Sequence, residues 1–367
     1  MGQVTSTDVQ VGRPLPFNAF DKNGKLLLKK GTVIKSQKQL DALLSRGLFS
    51  RDNEQEDLPE VEPDRPDPFD MMNKILYAWD RIVQSVGSGA ENFETRVLQL
   101  CATIQKLCDL DSDAALGAIH LRHEGSYSIN RSIQNTIFCE LIARQLKRSQ
   151  EQRVTLLAAS LCSNVTFIGF QNELNGQKKR LNVEQRQRVE QHPQEAVNFL
   201  ESIGVEDQIW LQSVLQHHEM LDGSGYPSQL RGKEIIPPAR IIALSDRYGA
   251  AISPRAYRRA RVSKDIMRNL LVNKGKQYDA TLCMLFIKEL GVFPPGSLVT
   301  LKNGETAVIT RRGKNSMKPE CASVLNAQGG LMGVRHRNSG VPEYEIQSMC
   351  FLEETAFLSL NELWGYK

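Results

Sequence analysis

Between residues 192 and 258 the sequence gathers side chains that can hold a metal ion and grip a phosphate. His192, His217, His218 and Asp246 are imidazoles and a carboxylate, the donor types that coordinate zinc, iron or manganese. Two of them open the string "HHEMLDGSGYP", residues 217–227, whose glycines supply the backbone angles of a tight turn and whose Pro227 fixes its exit. Arg255 and Arg258, three apart on one helix face, offer planar forks that match phosphate oxygens. Each feature also has an ordinary use. A lone helical histidine usually packs in a core or at a surface, and "RAYRRAR" alone is a solvated basic face. The combination points to a site, because chance rarely places His-His-Glu just before Asp-Gly-x-Gly-Tyr-Pro.

A helical segment must position these residues. Ile133, Ile137, Leu141 and Ile142 recur at helical spacing, as do Val154, Leu157, Ala158 and Leu161, and residues 70–292 read as all-α. Asn182 with Gln185 predicts a capped helix running to about Ile203, and "EDQIWLQSVLQHH" predicts a second helix ending at the histidine pair. Residues 1–50 read as a small β-rich domain, with an Asn23-Gly24 hairpin turn and a short helix capped by Ser36 and Gln39 and stopped at Gly47. Residues 51–69 are acidic, proline-punctuated and nearly free of apolar side chains, which predicts a flexible linker. Residues 293–367 alternate apolar and polar positions around Asn303-Gly304 and predict a small β module. The predicted fold class is mainly α, a helical bundle flanked by small N-terminal and C-terminal β-rich modules.

Composition narrows the function classes. A chain of 367 residues holds about two or three domains, and its charge of +4 permits an anionic ligand without demanding nucleic acid. No apolar run approaches the ~20 residues of a membrane span, and the N-terminus lacks a secretory pattern. Gly2 with Ser6 fits a myristoylation pattern, which is short enough to be a chance match. Seven cysteines without a C-x-x-C pair predict a reduced, cytoplasmic protein.

Residues 115–295 resemble the HD-GYP family, bacterial phosphodiesterases that hydrolyse cyclic di-GMP. The resemblance rests on "QHPQEAVNFL" around His192, on "LQHHEMLDGSGYPSQLRGKEIIPPARIIALSD" (214–246), on "SPRAYRRA" (253–260) and on "GKQYDATLCMLFIKELGVFPPGS" (275–297). It implies an HD-domain-like bundle and a centre in which two or three metal ions activate a water toward a phosphodiester. It places His192, His217, His218 and Asp246 at metal-ligand positions, and Asp222, Arg255 and Arg258 near the dinucleotide. It makes Gly225, Tyr226 and Pro227 a structural and docking surface, which in the family can meet GGDEF-domain proteins.

The defining His-Asp pair is absent. The family's "LLHDIGKIG" aligns with "SLCSNVTFIG", which puts Ser163 and Asn164 at the pair and Phe167 at the phosphate-contacting lysine. Upstream, "YSINRSIQN" places Arg131 at the first metal-binding histidine. Two divalent ions ~4 Å apart repel by roughly 17 kcal/mol at an effective dielectric of ~20, and a neutral Asn164 cannot offset that as an aspartate bridge does. The expected consequence is that no catalytic set is intact, and that the Arg131 guanidinium replaces the first metal and pairs with Asp246. His192, His217, His218 and Asp246 remain as residual ligands for no ion or one weakly bound Fe, Mn or Zn.

The expected function is therefore a catalytically inactive HD-GYP-like signalling protein that senses cyclic di-GMP or docks to partners. The alternative is a cyclic di-GMP phosphodiesterase with a residual single-metal site. A nucleic-acid reading of "QKKR" (177–180) and "RRGKNSMK" (311–318) is weaker, since the runs lack interleaved aromatics and read as solvated loops. The intact GYP stretch argues against the related HDOD domains.

Overall fold

The computed structural model describes residues 66–89, 91–122, 125–253, 263–352 and 358–366, with short stretches before residue 66. The chain divides into two compact units, Met1–Arg65 and Pro66–Lys367. In the first, strands β1 (Gly2–Gln3), β2 (Ala19–Phe20), β3 (Leu26–Leu28) and β4 (Phe49–Ser50) form an antiparallel sheet in the order β1-β4-β2-β3. Asn23 and Gly24 lie outside the described residues. Gln39, Gly47 and residues 51–65 lie outside the described residues.

The second unit opens with helix α1 (Pro68–Gln84), which starts inside the stretch expected to be linker. Local chemistry explains the start. The Asp67 carboxylate accepts the Phe69 N–H, and Pro68 sits in the first turn, where its missing N–H has no intrahelical partner to lose. Helix α2 (Phe93–Leu121) is broken at Asp111, whose extended backbone (φ −160°, ψ 92°) interrupts the spiral. The same side chain restarts the helix by accepting the Ala114 N–H.

Helix α3 (Tyr127–Gln145) is the central rod, buried on almost every side from Ser128 to Ala143. Against it pack α4 (Gln150–Cys162), α5 (Ile168–Gly176), α8 (Pro237–Ile252) and α10 (Ala280–Leu290), while α6 (Val183–Ser202) packs on α7 (Gln208–Gln216), α7 on α4 and α8, and α9 (Ser263–Asn273) on α8 and α10. The capping pair at Asn182 and Gln185 forms as the sequence predicts, with each side chain bonding the other's backbone N–H.

A five-stranded antiparallel sheet follows, comprising β5 (Leu298–Leu301), β6 (Thr306–Arg311), β7 (Glu320–Leu325), β8 (Leu331–Asn338) and β9 (Ile346–Met349) in the order β8-β7-β6-β5-β9. The β5–β6 hairpin turns at Asn303-Gly304, where Gly304 takes φ +87°. Leu298, Val308, Ala322 and Val324 join the hydrophobic core of the helices. Arg311 pairs with Asp111, and Arg312 reaches both Asp113 and Glu289. In the last helix, α11 (Leu360–Trp364), Trp364 lies edge-on to Phe69 and fills the space over Gly117. The step at residue 292 is therefore a change of secondary structure within one packed unit.

Candidate functional site

His192 lies in α6 immediately before Pro193. Proline has no N–H to give the carbonyl four residues back, so the Val189 oxygen would be left unpaired. His192 Nδ1 takes that oxygen at 2.6 Å. His217 is the C-cap of α7, where carbonyls also lack partners, and its Nδ1 lies 2.6 Å from the Val214 oxygen. A carbonyl only accepts, so both Nδ1 atoms carry the hydrogen and both Nε2 atoms present a lone pair. These two Nε2 atoms face each other at 3.3 Å.

Two lone pairs at that distance repel unless a cation lies between them. Nitrogens 2.0–2.1 Å from a tetrahedral ion stand about 3.3–3.4 Å apart, so the spacing fits a shared metal. His218 completes the group. The ligand atoms of His192, His217 and His218 all fall within 4.8 Å of one another. Burial first, and then the neighbouring imidazoles, lower the pKa of His192 to about 3 and hold His218 well below the usual range. Burial likewise lowers His217. Neutral imidazole is the form that binds a metal.

Asp246, on α8, is not part of this cluster. Its Oδ1 receives Arg131 Nη2 at 2.7 Å and Asn135 Nδ2 at 2.9 Å, both from α3. Arg131 is 4% exposed, donates also to the Asp246 carbonyl at 2.7 Å, and sends Nη1 to Gln134 at 2.7 Å. A Cβ on Gly249, on α8, would lie 1.9 Å from that Nη1, so glycine there makes room for the guanidinium. Burial alone would raise the Asp246 pKa, and the Arg131 charge overrides it and holds the carboxyl ionised. Gln134, Asn135 and Gly249 escaped the sequence analysis. The signal was two amide side chains at i+3 and i+4 from Arg131, on the same helix face.

Ser163 caps α4 and donates to the Ser160 carbonyl, while Asn164 Nδ2 donates to the Ser163 hydroxyl. Both are buried, and neither carries charge toward Asp246. Phe167 stacks on His192 with centroids 4.6 Å apart. The Tyr226 ring lies over His218, with centroids 4.7 Å apart. Gly225 is forced by packing, because a Cβ there would come within 2.5 Å of the His218, Glu219 and Met220 backbone. The Glu219 carboxylate is buried and accepts the Ser228 and Leu230 N–H groups, which clamps the turn after Pro227.

Asp222, expected beside the ligand, is an exposed turn residue. Its carboxylate accepts from the Ser224 N–H and hydroxyl, and it does not line the cavity described below. Arg255 and Arg258 lie outside the described residues.

A cavity of about 490 Å³ is lined by His192, His218 and Asp246, together with Asn164, Phe167 and Tyr226. Its lining also includes Lys178, Lys179, Arg180 and Arg186. Sequence alone assigned 177–180 to a solvated loop. The tertiary fold brings that run to the lining of the cavity that His192 and His218 share.

Residues 118–282 match the HD domain family model. The helical part of this chain has an HD-domain fold. The curated relatives of the domain include a cyclic di-GMP phosphodiesterase of Pseudomonas aeruginosa, 24% identical over 217 residues, covering 59% of this chain and 52% of that protein. A cyclic di-GMP phosphodiesterase response regulator of Xanthomonas campestris pv. campestris is 26% identical over 223 residues, 60% of this chain and 58% of the other. A 3'3'-cGAMP-specific phosphodiesterase of Vibrio cholerae is 30% identical over 134 residues, 36% and 29% of the two chains. The chain thus spans about half the length of the first relatives it matches. An HDG"Y"P protein from Bdellovibrio bacteriovorus shares the fold of the HD domain, with a TM-score of 0.52, 13% identity and coverage of 78% of this chain and 98% of that one. No helix among the described residues is long and apolar enough to cross a membrane.

Proposed function

We propose that this chain is a cyclic dinucleotide signalling protein of the phosphodiesterase type in which a fixed ion pair has replaced the hydrolytic centre. It acts by sensing ligand, or by docking to partners such as GGDEF-domain proteins, and not by turnover. One observation carries the proposal: Arg131 Nη2 lies 2.7 Å from Asp246 Oδ1. A permanent cation occupies the neighbourhood of the carboxylate, and neutral Asn164 supplies no bridge, so two dications have nothing to offset their repulsion. All seven cysteines are free, which suits a reducing cytoplasm.

A second reading has its own observation. The facing Nε2 atoms of His192 and His217, with His218 beside them, suit one Fe, Mn or Zn ion. When bound, such an ion would supply Lewis-acid polarisation of a phosphoryl oxygen. A phosphodiesterase with a single residual metal is the function that would follow.

Metal analysis beside a cyclic di-GMP turnover assay separates the two. The expected result is at most one ion per chain and no pGpG or GMP formed, with turnover appearing only after R131H, S163H and N164D are combined. Brisk cleavage by the unmodified protein, or two ions per chain, overturns the proposal.

A further inference from the structure

We propose that Lys178, Lys179, Arg180 and Arg186 form a phosphate-gripping wall for the anionic ligand of this cavity. They do the work that Phe167, which has no charge, cannot do. The inference rests on the signalling function proposed above and names the residues of this chain that would recognise the ligand.

The charge distribution comes first. Among the described residues the four cations share one cavity with a single lining carboxylate, Asp246, and Arg131 already neutralises it. No ion pair joins any of the four to a carboxylate among the described residues, although Arg144, Arg153, Arg240, Arg311, Arg312 and Arg337 are all paired. Like charges crowded around one concavity repel, and an anion inside it relieves that repulsion.

The wall is also built. Gln177 Nε2 binds the carbonyls of Lys179 and Arg180 at 3.0 and 3.3 Å, and Gln177 exchanges amide hydrogen bonds with Gln185 on the first turn of α6. Gln185 in turn belongs to the Asn182 capping box. The backbone of the basic loop is therefore fastened to the helix that carries His192 and needs little ordering when a ligand arrives. Arg186 lies on α6 itself.

The chemistry required of the ligand follows. It is an anion with phosphoryl oxygens for the lysines and arginines. A cavity of about 490 Å³ is in the range of small-molecule sites and has aromatic lining from Tyr127, Phe167 and Tyr226, which suits flat bases attached to the phosphates. A phosphodiester carrying nucleobases meets both demands, and a free phosphate meets only the first.

The test is equilibrium binding to the full chain, with cyclic di-GMP and pyrophosphate as probes, for wild type and a K178Q/K179Q/R180Q/R186Q variant. All four positions are exposed, so the variant is expected to keep the wild-type melting temperature and metal content. Cyclic di-GMP affinity is expected to fall at least tenfold, and the loss of wild-type affinity with added KCl is expected to flatten in the variant. Tighter binding of cyclic di-GMP than of pyrophosphate assigns the ligand as a nucleotide, while equal affinities assign the wall to free phosphate. A folded variant that binds cyclic di-GMP as well as wild type overturns the wall. So does a wild type that binds neither probe at millimolar concentration. Neither result touches the non-hydrolytic proposal, which is judged on turnover.

Discussion

Replacing Arg131 by methionine keeps most of the volume and removes the charge. The guanidinium makes three hydrogen bonds, to Asp246 Oδ1, to the Asp246 carbonyl and to Gln134 Oε1, each at 2.7 Å. In R131M the Asp246 carboxylate keeps Asn135 and faces neutral imidazoles, with no cation to compensate it. Removing one partner of a buried pair costs about 3–5 kcal/mol. Asp246 is 20% exposed, so water recovers part of that and the lower end, about 3 kcal/mol, is expected. For a folded unit spanning Pro66–Lys367 the loss corresponds to a fall in Tm of about 5 °C. The assay is thermal unfolding followed by circular dichroism, run as a cycle with D246N and R131M/D246N. The double variant no longer buries a lone charge and is expected to be more stable than R131M alone, with a coupling of about 1.5–3 kcal/mol. A Tm within 2 °C of wild type for R131M, or a coupling below about 0.5 kcal/mol, would refute the view that this pair stands in for an ion as the structural centre of the site.

Two further outcomes concern the frame around the site. G225A drives a methyl within 2.5 Å of three backbone atoms, so a loss of about 1–3 kcal/mol is expected, and an unchanged melting temperature would show that the turn relaxes freely. Burial raises the Asp111 pKa, but hydrogen bonds from Arg311, the Ala114 N–H and the Tyr366 hydroxyl overcome it and leave the carboxyl below its ordinary value. A depressed folded pKa stabilises above the unfolded value near ~4 and loses that contribution as pH falls through the folded one. D111N should therefore be less stable at neutral pH, by about 1.5–3 kcal/mol, and show a shallower decline below about pH 4. Parallel acid-unfolding curves for D111N and wild type would count against the Arg311–Asp111 contact.

Local chemistry was legible in the chain itself. The Asn182–Gln185 cap, the hairpin at Asn303-Gly304 and the helix leading into His217 each depend on residues a few positions apart. The Arg131–Asp246 pairing was also legible, because the family resemblance put both side chains at one ion. The break at Asp111 was not, since the aspartate is held extended partly by Arg311 and Tyr366, residues 200 and 255 positions away. Asp222 was assigned to the ligand by position, yet its carboxylate is satisfied within its own turn by Ser224, a local bond that competes with any distant role.

The sequence by itself determined which groups are present to do chemistry: three imidazoles, the Arg131 guanidinium, the Asp246 carboxylate and the neutral Asn164 amide. Only the tertiary structure decided how those groups face one another. It turned two Nε2 lone pairs together at 3.3 Å and carried a basic run, dismissed as solvated, to the rim of the same cavity. The physical reason is range. Capping and turn bonds act over a few residues, whereas the direction of a histidine ring or a lysine depends on which helices the burial of apolar surface brings together.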